Sequence, residues 1–155
     1  MKQRILAMLI LGITIASTLK ANDKPGNTTY QSVVKAYMQS YLNNDYKKFK
    51  SLLSEDALFS FNRDVRAVKH DAAAIIAEMK KNGGAVQQSC EISSKVLTAT
   101  DGMVMAEVNV NYKGFDGKHK NYLVLERDKN GDWKITNIYR FFVSGTDSNG
   151  EKVIV

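Results

Sequence analysis

The hydrophobic period of the chain changes at Ala85, from mostly helical spacing to strict alternation. Three dipeptides, Asp101-Gly102, Asp116-Gly117 and Asn130-Gly131, punctuate the alternating half. Each tolerates the positive φ angles of tight hairpin turns, so four strands are predicted, over 86–99, 103–113, 118–128 and 133–143. Neighbours joined by tight turns pair as an antiparallel meander. In the second strand Val104, Ala106, Val108 and Val110 share one face, and Met103, Glu107, Asn109 and Asn111 share the other. Strands longer than about 5–6 residues twist and curl, often through bulges. A curled sheet with helices on its concave side encloses a cone.

The first half supplies those helices. Tyr30, Val33, Val34, Tyr37, Met38, Tyr41 and Leu42 recur on one helical face, and Thr28 with Gln31 has the spacing of a capping box. Asn43-Asn44 ends this helix. Asp45 is placed to cap a second one, in which Phe49, Leu52 and Leu53 face inward and Lys47, Lys48 and Lys50 form a solvated face. Short strands are expected over 57–62 and 65–68. A third helix follows, capped by Asp71, lined by Ile75, Ile76 and Met79, and stopped by Gly83-Gly84 after Lys80-Lys81. The fold class is thus α+β, with three N-terminal helices packed on a strongly curved antiparallel sheet.

Met1-Lys2-Gln3-Arg4 is a basic head, followed by an apolar run from Ile5 to Ala16, the layout of a secretory signal peptide. The run is shorter than the ~20 residues of a membrane span. The expectation is therefore cleavage after a signal at 1–21, a domain over 22–143, a polar tail over 144–155, and a periplasmic or secreted product with no stable anchor. Three basic residues and no acidic one lie in that signal, so the net charge of +6 falls to +3, too little to point to nucleic acid. Cys90 is the only cysteine, which leaves no intrachain disulfide and no lipidated residue behind the signal. Its place in an alternating strand predicts a packed, buried thiol.

This order of elements resembles the nuclear transport factor 2-like superfamily, also called SnoaL-like or cystatin-like α+β. The resemblance rests on Val33-Val34-Lys35-Ala36-Tyr37, Asn43-Asn44-Asp45 and Leu52-Leu53-Ser54-Glu55-Asp56-Ala57, and on Asn130-Gly131-Asp132-Trp133-Lys134-Ile135 at the opening of the last long strand. It covers nearly the whole domain. Its members include isomerases, dehydratases, cyclases, binding proteins and dimerisation modules, so the resemblance implies a fold rather than one activity. Compared with the ketosteroid isomerase branch, the oxyanion-hole tyrosine falls on Tyr37. The two carboxylic acids of that branch fall on Phe61 and Leu125, which can neither take nor share a proton.

Other chemistry is sparse. His70 and His119 flank different elements and read as solvated surface groups. No metal-ligand spacing, phosphate-cradling glycine loop or nucleophile elbow is present, and no cofactor is expected. Arg63, Asp64 and Arg66 fall in a loop that the resemblance places at the mouth of the cone, as a solvated turn or a selector of acidic ligands. The aromatic set Tyr37, Tyr41, Phe59, Phe61, Tyr122, Tyr139 and Phe141 exceeds what a minimal core needs. The expected pocket is lined by Tyr37, Tyr41, Phe59, Phe61, Leu125 and Tyr139. The leading expectation is an exported, non-catalytic protein that binds a small apolar ligand in the cone or a protein through its sheet. The alternatives are a proton-transfer enzyme using Tyr37 with Glu107 or Asp64, and a structural homodimer.

Overall fold

The computed structural model describes residues 28–63, 66–82, 90–113, 118–146 and 152–153. In chain order these form α1 (Tyr30–Leu42), α2 (Tyr46–Leu52), β1 (Leu53–Arg63), β2 (Arg66–Asp71) and α3 (Ala72–Lys81). The sheet half follows as β3 (Cys90–Ala99), β4 (Met103–Tyr112), β5 (Lys118–Arg127), β6 (Trp133–Thr146) and β7 (Lys152–Val153). The expected signal peptide, Asp64, Gly83-Gly84, Asp116-Gly117 and most of the tail lie outside the described residues.

Capping residues start the helices, with one shift from expectation. Asp45 and Asp71 accept from the third N–H of α2 and α3, as their positions predict. At α1 the capping box is Thr29 with Ser32, one residue later than the Thr28–Gln31 spacing. Thr28 is engaged elsewhere: its hydroxyl accepts from the Trp133 N–H at 2.9 Å and donates to Asp132 Oδ1 at 3.2 Å. The start of α1 is thereby tied to the start of β6. Asn44, in the left-handed region at φ 49°, turns the chain from α1 into α2, and its side-chain amide donates to the carbonyls of Met79 and Asn82 at the end of α3. All three helices are held together at that one residue.

The strands lie in the order β2-β1-β6-β5-β4-β3, with β7 paired to the end of β6. The meander β3 to β6 is antiparallel, whereas β1 and β6 are parallel neighbours, so the sheet is mixed. The helices cover one face of this curved, unclosed sheet. Val104, Ala106, Val108 and Val110 are all fully buried, as alternation predicts. The core around them joins Val33, Val34 and Tyr37 of α1, Phe49 of α2, Phe59 of β1, Leu123 and Leu125 of β5, and Trp133, Ile135 and Ile138 of β6. Gly131 adopts φ +84°, the positive angle expected of Asn130-Gly131. At Asp101-Gly102 the turn forms without a positive φ, because Thr100 closes it: its N–H and hydroxyl reach Met103 O at 2.8 and 3.0 Å.

One irregularity decides which side chains enter the cone. Val124 pairs with Asn137 and Leu125 with Ile135, so β6 carries Thr136 as an extra residue. An inserted residue exchanges the two faces of every position beyond it. Trp133 and Ile135 face the core before this bulge, and Ile138 and Arg140 face the same way after it. Plain alternation from Trp133 would have sent Tyr139 and Phe141 inward instead.

Candidate functional site

A pocket of about 230 Å³ opens between the helices and the far end of the sheet. Phe49 of α2, Phe61 of β1, and Ile75 and Met79 of α3 form its apolar walls. Tyr41, Asn44, Glu78, Asn82 and Arg140 supply the polar groups. Its position follows from local rules: the Asp71 cap starts α3 so that Ile75 and Met79 face inward, and the Asn44 amide fixes where α3 ends. Phe49 is both wall and core, since its ring also lies 5.7 Å from Tyr37 and 6.0 Å from Phe59.

Arg140 is the strongest charge in the pocket and is held on three sides. Its Nε donates to Asn121 Oδ1 at 2.9 Å, and Asn121 is fully buried. Its guanidinium carbon lies 4.8 Å from the centre of the Phe61 ring and 5.6 Å from that of Tyr41. Cation–π attraction and one charge-assisted hydrogen bond therefore set its plane. Beside it the hydroxyls of Tyr41 and Tyr112 are 2.7 Å apart, and the His119 ring packs between Tyr112 and Phe142.

The electrostatics follow from burial and from this one cation. Burial pushes the Tyr37 hydroxyl up to about 12, and Arg140 opposes that effect through its charge and a weak polar contact. No hydrogen bond of normal geometry reaches this hydroxyl. Burial, then the Tyr41 hydroxyl, raise Tyr112 above the ordinary tyrosine range. Burial and then the Arg140 charge push His119 down to about 4, so the ring is neutral near pH 7. His119 is therefore a packed, half-buried group rather than the solvated one expected; its neighbours come from β4 and β6, which sequence spacing does not reveal.

Of the predicted pocket residues, Tyr41 and Phe61 line the pocket. Tyr37, Phe59 and Leu125 are instead core groups, 0, 1 and 0 % exposed, because α1, β1 and β5 bring them into the layer between helices and sheet rather than to the opening. Tyr139 is 39 % exposed on the opposite face, a correction caused by the Thr136 bulge. Glu107 also lies on that opposite face, between the core residues Ala106 and Val108. It accepts from Asn109 Nδ2 at 2.9 Å and pairs with Lys120 at 3.7 Å. The Asn109 hydrogen bond, then the Lys120 charge, hold its carboxyl below the usual range against some desolvation. It cannot serve Tyr37 as a base from there. Asp64, the other proposed acid, lies outside the described residues. Cys90 is half-buried at the start of β3 rather than fully packed, because β3 is the sheet edge; burial still raises its thiol. Among the described residues no group of three His, Cys, Asp or Glu is arranged to hold a metal ion, and no helix is long and apolar enough to cross a membrane. Arg140 is the functional candidate that sequence reading missed, since period-2 alternation assigns it to solvent.

No family profile matches the chain, and no curated protein matches it in sequence. Solved structures do match it in shape. A nuclear transport factor 2-like protein of unknown function from Silicibacter pomeroyi superposes with a TM-score of 0.58 at 16 % identity, over 73 % of this chain and 92 % of its own. A nuclear transport factor 2-like protein from Cytophaga hutchinsonii gives 0.57 at 17 % identity, over 75 % and 100 %. A candidate ketosteroid isomerase from Parabacteroides distasonis gives 0.56 at 14 % identity, over 79 % and 93 %. With its three helices on a curved mixed sheet and these structural neighbours, the chain has the nuclear transport factor 2-like fold.

Proposed function

We propose that this chain is an exported small-molecule binding protein whose ligand occupies the pocket between α3, Phe49 and Phe61. The pocket itself carries this reading, because an apolar hollow with a few placed polar groups is what small-ligand sites share. Its volume lies between the ~150 Å³ of a cavity that admits benzene and the ~300 Å³ at which drug-sized sites begin. One ring with a short chain fits that space.

A binding role is favoured over proton transfer by where the acids are. Glu107 faces away from the cone, and the positions to which the sequence resemblance assigns the isomerase acids carry Phe61 and Leu125. Glu78 lines the pocket but is exposed, and Tyr37 is absent from its walls. Export is inferred from the basic head and apolar run at residues 1–16. A homodimer through the open face of the sheet is supported by the exposure there of Leu58, Met103 and Tyr139.

Native mass spectrometry of the exported protein from its own host tests the ligand reading. We expect a small-molecule adduct that disappears from a pocket-filling Ile75→Trp variant. A protein without adduct, or an adduct indifferent to the filled pocket, would count against it.

A further inference from the structure

On the reading that this pocket is a ligand site, we infer that its ligand is an organic anion, a monocarboxylate whose carboxylate meets Arg140 and whose ring or short chain lies against Phe49, Phe61, Ile75 and Met79. The argument starts from the guanidinium. Asn121 takes its Nε, and its plane is fixed by the Phe61 and Tyr41 rings. Beyond that bond the guanidinium makes only a weak polar contact among the described residues, to the Tyr37 hydroxyl. Arg140 also has no carboxylate within ion-pair distance among the described residues. A half-buried guanidinium with so few partners is stabilised by an anion that pairs with it. The fork of an arginine matches the two oxygens of a carboxylate.

Asn121 explains why the site is built for an anion rather than being an accidental cation. Its fully buried amide spends its oxygen on Nε and leaves its own Nδ2 without a partner. A buried polar pair that leaves its donors over suits a ligand that brings only acceptors. Nearby groups agree: the Arg140 charge acts on Tyr37, Tyr112 and His119, and His119 stays neutral and adds no competing charge. Tyr41, whose hydroxyl lies 2.7 Å from that of Tyr112, adds a polar group to the same wall. Among the described residues Glu78 is the one opposing charge on the wall, and its exposure leaves it screened by water.

Isothermal titration of the full mature protein with 3-phenylpropionate and with 3-phenylpropanamide, equal in shape and different in charge, tests this inference. The carboxylate should bind about ten- to hundredfold more tightly than the amide, the span expected of a charge-assisted pair. Arg140→Met should abolish that preference. Arg140→Lys, which keeps the charge and loses the fork, should retain part of it, and it serves as the control should the methionine variant fold poorly. Glu78→Gln should strengthen carboxylate binding. Equal binding of both probes, or a preference untouched in both Arg140 variants, overturns the anion assignment and leaves the pocket reading standing. If neither probe binds while the native adduct persists, the assignment again falls alone. If the adduct is missing too, both fall.

Discussion

The two ends of the cone are made from the same strands yet differ in kind. At the closed end, Val104 of β4, Leu125 of β5 and Ile135 of β6 lie side by side and fully buried under Val33 and Val34. At the open end, further along those strands, Val108, Asn121 and Arg140 lie side by side, with His119 and Tyr112 beyond. The closed end gains stability from excluding water from aliphatic surface. The open end spends some of that stability on polar groups whose partners are incomplete, as at Asn121 and His119. A domain of this size can carry such a site because the other end holds it together.

The largest expected difference between the ends is in packing. Leu125→Ala should lower unfolding free energy by about 2–5 kcal/mol, because the side chain is wholly enclosed and its removal leaves a cavity. Phe61→Ala, at a half-buried ring on the pocket wall, should cost less than that and weaken ligand binding. Urea unfolding of both variants checks the order, and a larger loss at Phe61 would break the contrast.

Next comes the buried hydroxyl of Tyr37. Its folded-state value of about 12 lies above the ordinary 10, so the unfolded chain releases its proton first as pH rises. The contribution is intact below pH 10 and is lost between about pH 10 and 12, up to roughly 2–3 kcal/mol. Tyr37→Phe should be neutral or mildly stabilising at pH 7, since it removes a hydroxyl that lacks a normal hydrogen bond, and should flatten this alkaline loss. Melting temperatures from pH 8 to 12 measure both.

His119 shows the opposite sign. Its folded value near 4 lies below the ordinary 6.5, so the unfolded state binds the proton first, and stability should fall as pH drops from about 6.5 towards 4. The effect is smaller than that of Tyr37 because the imidazole is only half-buried. His119→Gln should reduce the acid sensitivity, read as the change in melting temperature between pH 7 and pH 5.

The smallest effects separate two turns of similar sequence. Gly131 has φ +84°, so Gly131→Ala should cost about 1–2 kcal/mol even though nothing lies within 4 Å of an added methyl group. Gly102 is equally open but needs no positive φ, so Gly102→Ala should be neutral or stabilise by up to about 1 kcal/mol. Thermal unfolding of the pair distinguishes a conformational need for glycine from a mere turn preference.

Much of this molecule could be read directly from residue order. The inward face of α1, the Asp45 and Asp71 caps, the alternation of β4 and the two described turns depend on neighbours a few residues apart, and local spacing states those relations fully. Even the Thr28–Gln31 misreading was off by one residue, because two threonines competed for one cap and the distant Trp133 N–H took the first. The site was less legible. Tyr41 and Phe61 were found because aromatic residues on inward faces announce themselves, whereas Arg140 looked like a solvent residue of an alternating strand. Its inward position depends on the Thr136 bulge, and a bulge is a mismatch between two strands that no single strand encodes. Sequence alone thus determined the elements and the hydrophobic face of most of them. Tertiary pairing decided that beyond Thr136 the inside of β6 is Ile138 and Arg140 rather than Tyr139 and Phe141, because one extra residue against β5 turns every later side chain through the sheet.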